Sequence, residues 1–275
     1  MKKPATILLL LAAVGLFAAN QDKPSLVDKK SRFALWFNES SFETVSADTF
    51  LVEITGNPTH GYSKDQNLEF SAQNFTGHVR KTKDGALLLK DGTMTGGVVI
   101  TITDQNGTSV VKTAKASIDD NGETATITVP GSYTFSNSAS TDKGTRSMTF
   151  SAPQGTFVLK SLSVKDDNPL ISAEVSGPVS VKVDEKGVKG RVAVYTLTGQ
   201  HMTARAQGTD RVLNLTGGVH ITSDTTETEP NKTPFFADMD VDQATVVFDK
   251  DYVIKKVTTK GNPGTGTLKD KNGGG

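Results

Sequence analysis

The stretch Val212-Leu213-Asn214-Leu215-Thr216-Gly217-Gly218-Val219-His220-Ile221 decides how this chain is read. On both sides of its glycine pair every second residue is apolar: Leu213 and Leu215 before it, Val219 and Ile221 after it. That is the period of a strand with one apolar and one wetted face. A glycine at such a place lets the backbone bend sharply or approach its neighbour closely, and the valine that follows begins an inward-pointing row. The phrase recurs as Thr76-Gly77-His78-Val79, Gly96-Gly97-Val98-Val99-Ile100 and Ser176-Gly177-Pro178-Val179-Ser180-Val181. Gly56, Gly77 and Gly97 are spaced by 21 and 20 residues, and Gly177, Gly199 and Gly218 by 22 and 19. A period near twenty corresponds to two ordinary strands with their turns.

Short apolar or alternating runs extend the pattern in both directions. They lie at 50–54, 86–89, 98–102, 125–129, 157–164, 179–183, 192–197, 212–215, 219–221, 244–248 and 252–257. Asn106-Gly107 and Asn121-Gly122 stand between such runs and read as tight hairpin turns, with Asp84-Gly85, Asp91-Gly92 and Lys186-Gly187 as weaker versions. No stretch after residue 20 fits a helical period better. The fold expected is therefore all-β and antiparallel, with a β region over 30–165 and a second over 166–262. Residues 136–147, 165–169 and 223–234 read as loops, and 263–275 as a disordered tail too poor in apolar residues to order itself.

A sheet with one long apolar face must fold over to hide that face or keep it for a guest. The glycine phrase, best seen in 212–221 and supported by Ala204-Arg205-Ala206 before it and Phe236-Ala237-Asp238 after it, resembles the OstA-like family of periplasmic lipopolysaccharide-transport proteins. The resemblance covers 170–262 well and 45–165 more weakly. Pro58 and Pro263 stand where that family's repeat has valine, which marks those places as ends of the stack. The resemblance implies a folded-over antiparallel sheet, a β-taco or β-jellyroll, that shields acyl chains and joins partners of the same family, or itself, edge to edge. On the rung pattern, Val179, Val181, Val183, Val219, Ile221, Val98 and Ile100 are the expected lining of a lipid trough. The implied protein is a non-enzymatic binder of lipopolysaccharide or another amphiphile, with no cofactor. A secreted adhesive or structural module with a dry core is the alternative.

Composition narrows the field. The 30 Lys and Arg balance 30 Asp and Glu, which argues against nucleic acid as a partner, and without Cys there is no disulfide framework or thiolate metal site. The 36 Thr and 26 Gly suit half-exposed strands and turns. Lys2 and Lys3 precede an uncharged apolar run from Ala5 to Ala19, which reads residues 1–21 as an export signal or a short membrane anchor and the remainder as periplasmic. A cut after Ala19 or Ala18 would place Phe17 or Leu16 where a small residue is preferred, so both outcomes stay open.

Signatures of catalysis are missing from the sequence. His60, His78, His201 and His220 show no metal-ligand spacing, and neither a nucleophile elbow nor a phosphate loop is present. His78 and His220 occupy the same place in the repeated phrase and are expected on the outer face, with a metal or anion contact across neighbouring rungs as the sharper reading. Asp119-Asp120 and Asp166-Asp167 read as turn-capping pairs rather than paired catalytic carboxylates. Trp36, between Leu35 and Phe37, reads as a packing plug at the N-terminal end, with a sugar-stacking platform as the alternative.

Overall fold

The computed structural model describes residues 23–28, 32–104, 107–141, 144–164, 169–188, 190–227, 234–249, 253–261 and 265–270. The expected signal lies outside these residues, as do Asp166 and Asp167. The chain runs β1 (Leu26–Val27), β2 (Phe33–Trp36), β3 (Glu39–Thr44), β4 (Thr49–Ser63), β5 (Leu68–Lys81), β6 (Leu87–Asp104), β7 (Gly107–Asp120), β8 (Thr124–Val129) and β9 (Tyr133–Thr141). It continues through β10 (Gly144–Ala152), β11 (Gln154–Lys160), β12 (Leu170–Val188), β13 (Arg191–Gln207), β14 (Asp210–Glu227), β15 (Phe235–Phe248), β16 (Ile254–Lys260) and β17 (Thr265–Asp270). All of them join one antiparallel sheet.

The long strands are bent in the middle, and the bends line up. Between β14 and β15 the register shifts from Thr216 to Val219, between β12 and β13 from Ser176 to Val179, and between β6 and β7 from Thr95 to Val98. At these places Gly217 and Gly218 take φ of +84° and +70°, and Gly96 and Gly97 take +81° and +67°, values that an L side chain resists. The glycine pair is thus a bulge inside one strand. The runs at 212–215 and 219–221, which read as separate strands, are the two arms of β14.

Aligned bulges fold the sheet along a crest into two leaves. The upper leaf holds β3, β8, β11, β16 and one arm of each long strand; the lower leaf holds β1, β2, β9, β10, β17 and the other arms. Phe157 of the upper leaf lies 6.5 Å from Phe135 and 6.1 Å from Phe150 of the lower leaf, ring centre to ring centre. One apolar cluster between the leaves extends from Phe33 to Ile254. The pairings β11–β8 and β11–β12 above, and β9–β10 and β10–β12 below, make the N- and C-terminal halves a single sheet.

Three loop expectations are corrected. Residues 136–147 mostly belong to the β9–β10 hairpin: Ser136, Ser138 and Ser140 look like linker, yet Phe135 and Phe150 pair beneath them. Residues 223–227 continue β14. Thr265–Asp270, expected within a disordered tail, forms β17 against Phe235–Asp240 through backbone bonds that need no apolar side chains. Pro58, expected at an end of the stack, lies at the crest bend of β4, between paired neighbours on both sides. At Asn121-Gly122 only Gly122 has positive φ; the Asn121 carboxamide instead accepts from the Glu123 and Thr124 amides, at 2.8 and 2.9 Å.

Candidate functional site: the apolar interior and its mouth

The seven expected lining residues all lie on the lower leaf and point inward, none more than 2 % exposed. Pairing joins three of them in one row: Phe70, Ile100, Val111, Phe135, Phe150, Val181, Leu197, Ile221 and Met239 stand side by side across nine strand arms. Val179, Val183 and Val219 flank it one step along their strands, as does Val98 on β6.

The facing wall was not singled out by the sequence pattern. On the upper leaf an unbroken row runs Phe42, Val52, Gly77, Gly92, Ile118, Ile127, Phe157, Ala173, Ala204, Leu213, Val246, Val257. It begins on β3 and ends on β16, the first and last strands of that leaf. Its two glycines make room for Phe75: a Cβ on Gly92 would lie 2.3 Å from that ring. The alternation ahead of each glycine, as in Leu213 and Leu215, is the signal that carries this wall.

Opposite the crest the leaves meet along a mouth, and polar groups close it at two places. Gln66, in a 3-10 turn at Lys64–Gln66 of the lower leaf, donates from Nε2 to the Leu89 carbonyl of the upper leaf at 2.7 Å; the Leu89 amide donates back to Oε1 at 2.9 Å. Arg32 reinforces this end, with ion pairs to Asp84 at 2.9 Å and Asp65 at 3.1 Å. At the other end the fully buried Glu185 holds Arg191 at 2.5 Å and accepts the Ile254 amide of the upper leaf at 3.2 Å, while Arg191 donates to the Ile254 carbonyl at 3.3 Å. Burial pushes the Glu185 carboxyl up, against the pull of the Arg191 charge. These latches join residues 23 and 69 positions apart, a separation that sequence patterning does not resolve.

At the crest end of β9, Tyr133 packs edge-on to Phe150 and Phe157, its hydroxyl buried without a hydrogen-bond partner among the described residues. Burial pushes that phenol far above its usual range. Gly155 clears the space for it, since a Cβ there would stand 2.4 Å from the Tyr133 oxygen.

Of the remaining candidates the histidines fall outside the interior, whereas Asp120 is buried on the same face as Ile118. His78 and His220 do lie on the outer face, each Nδ1 bonded to a carboxylate of the next strand, Asp91 at 2.7 Å and Asp240 at 2.9 Å. Among the described residues no cluster of three or more metal-ligating side chains occurs. Asp120 caps its turn, accepting the Gly122 amide at 2.9 Å, and also takes the Leu162 amide at 3.0 Å. Trp36 is not a plug: it is half-buried and lines an open pocket on the outer face of the lower leaf. No described helix is long and apolar enough to cross a membrane.

Comparison with protein-family models, with curated proteins and with solved structures gives no match for this chain.

Proposed function

We propose that this protein is an exported, non-enzymatic carrier that shelters the acyl chains of an amphiphile between its leaves and passes them along a stack of edge-joined copies or relatives, as in lipopolysaccharide transport. The observation that carries the reading is the upper row, which reaches an open strand at both ends with an inward apolar residue, Phe42 on β3 and Val257 on β16. Among the described residues the registers pair β3 with β4 alone and β16 with β15 alone. β3 runs from crest to mouth and β16 from mouth to crest, so one copy's β16 meets the next copy's β3 antiparallel. In that register Val257 stands beside Phe42, Lys256 beside Glu43 and Lys260 beside Glu39, apolar inside and opposite charges outside. Each methylene of a guest chain taken from water contributes about 0.8 kcal/mol, so the interior needs no polar motif to hold one.

The interior as it stands is filled, and its lining is sealed from water. That observation favours the second reading, a structural module with a dry core. The test is native mass spectrometry of residues 22–275 purified from a Gram-negative host, with lipopolysaccharide and a fluorescent fatty acid added in turn. Bound lipid, together with oligomers broken by Lys256→Glu and restored by mixing with Glu43→Lys, supports the carrier. A monomer that refuses both probes leaves the dry module.

A further inference from the structure

Trp36, the chain's single tryptophan, lies with Tyr62 on the outer face of the lower leaf. Phe33, Phe70, Phe75, Phe150 and Phe157 are buried between the leaves, whereas Trp36 and Tyr62 are half-buried and line an open pocket of about 550 Å³ on the outside. Register builds the pocket. Trp36 on β2 stands beside His60, and His60 beside Ser71; two residues along, Tyr62 stands beside Glu69, and Glu69 beside Thr101. Alternation along each strand puts all six on one face.

The chemistry of this surface is mixed in a particular way. Two flat rings offer apolar faces, while a carboxylate, an imidazole and two hydroxyls surround them, and no Lys or Arg lines the pocket. Without a cation it does not suit phosphate or sulfate, and with so many hydrogen-bonding groups it does not suit an acyl chain. A pyranose ring presents the complementary surface, an apolar C–H face edged by hydroxyls. The volume lies within the range of small-molecule sites. We propose that this pocket binds a neutral sugar unit of an oligosaccharide, stacked on Trp36 or Tyr62, with Glu69 accepting from its hydroxyls and His60, Ser71 and Thr101 completing the hydrogen bonds. The site is separate from the interior and does not depend on the carrier reading.

Because Trp36 is the sole tryptophan, its fluorescence reports on this pocket alone. Chitotriose, maltotriose, cellotriose and mannotriose are titrated separately into the folded protein, with tetramethylammonium chloride as a cationic control. A saturable spectral shift with at least one trisaccharide is expected. Tyr62→Ala and Glu69→Gln both keep the reporter and should weaken binding about tenfold or more, while Tyr62→Phe keeps the ring and stays within about threefold. Circular dichroism of each variant checks that it is folded; Glu69 is exposed, so its substitution leaves the core untouched. No saturable response to any of the four sugars overturns the proposal. So does a response to tetramethylammonium alone, or a sugar response unaltered by both substitutions.

Discussion

Leu197→Ala separates a packed interior from an open one. Leu197 is 1 % exposed and stands in the lower row between Val181 and Ile221. The substitution removes three carbons, a transfer loss of about 2.4 kcal/mol at about 0.8 kcal/mol each. Neighbours held by strand pairing on both sides collapse little into the gap, and the cavity raises the expected loss to about 3–4 kcal/mol. In an open trough the same side chain would already face water, and its loss would cost less than about 1 kcal/mol. Urea unfolding followed by circular dichroism measures the difference as a lower midpoint at unchanged slope. If the interior takes alkyl chains, dodecanoate at a hundredfold its Kd should return about 2.7 kcal/mol to the variant. A loss under about 1 kcal/mol refutes the packed interior described above. A full loss with no recovery in dodecanoate refutes the guest and leaves the core.

Three further outcomes are expected. Gly92→Val drives a side chain into the Phe75 ring and should cost about 1–3 kcal/mol, read as a lower thermal midpoint, with no loss meaning that the ring can move aside. Burial raises the Glu185 carboxyl in the folded protein, so the native state holds its proton more tightly than the unfolded chain and stability falls as pH rises through and above the ordinary glutamate range; Glu185→Gln should flatten that slope in urea midpoints taken from about pH 5 to pH 7, and an unchanged slope would assign it to other groups. Ending the chain after Gly261 removes β17 and should speed amide exchange selectively over Phe235–Asp240, its partner segment, while exchange elsewhere in β15 stays slow; uniform exchange would show that β17 adds nothing.

The sequence made the strand periodicity, the antiparallel class and the inward direction of Val181 and Ile221 legible, because period-two alternation is local information. It did not separate a turn from a bend. Gly217-Gly218 and Asn121-Gly122 look alike in sequence, but the first continues a strand and the second ends one, a difference fixed by the partner strand's register. β17 escaped notice because Thr265, Gly266 and Thr267 join the sheet through backbone groups, which every residue carries. The serine-rich hairpin around 136–147 was obscured in a related way, since its outer face is polar while its inner face holds Phe135 and Phe150. Of the candidate site, one wall was readable and the mouth was not: Gln66 and Leu89, or Glu185 and Ile254, meet only after the whole sheet has folded.

The upper row also sets a scale of length. It passes through twelve strands, one residue from each, and neighbouring strands lie about 4.8 Å apart, so the leaf measures about 50 Å from β3 to β16. Apart from β8–β11, which lie in one leaf each, the hairpins of long strands such as β4–β5 and β13–β14 repeat one cross-section, each bent at its bulge. Inserting or deleting one such hairpin would alter the span by about 10 Å while leaving the profile of both ends, and so their fit to a neighbour, unchanged. The molecule is in that sense a ruler graduated in pairs of strands, and its reach can vary between relatives without any redesign of what it touches.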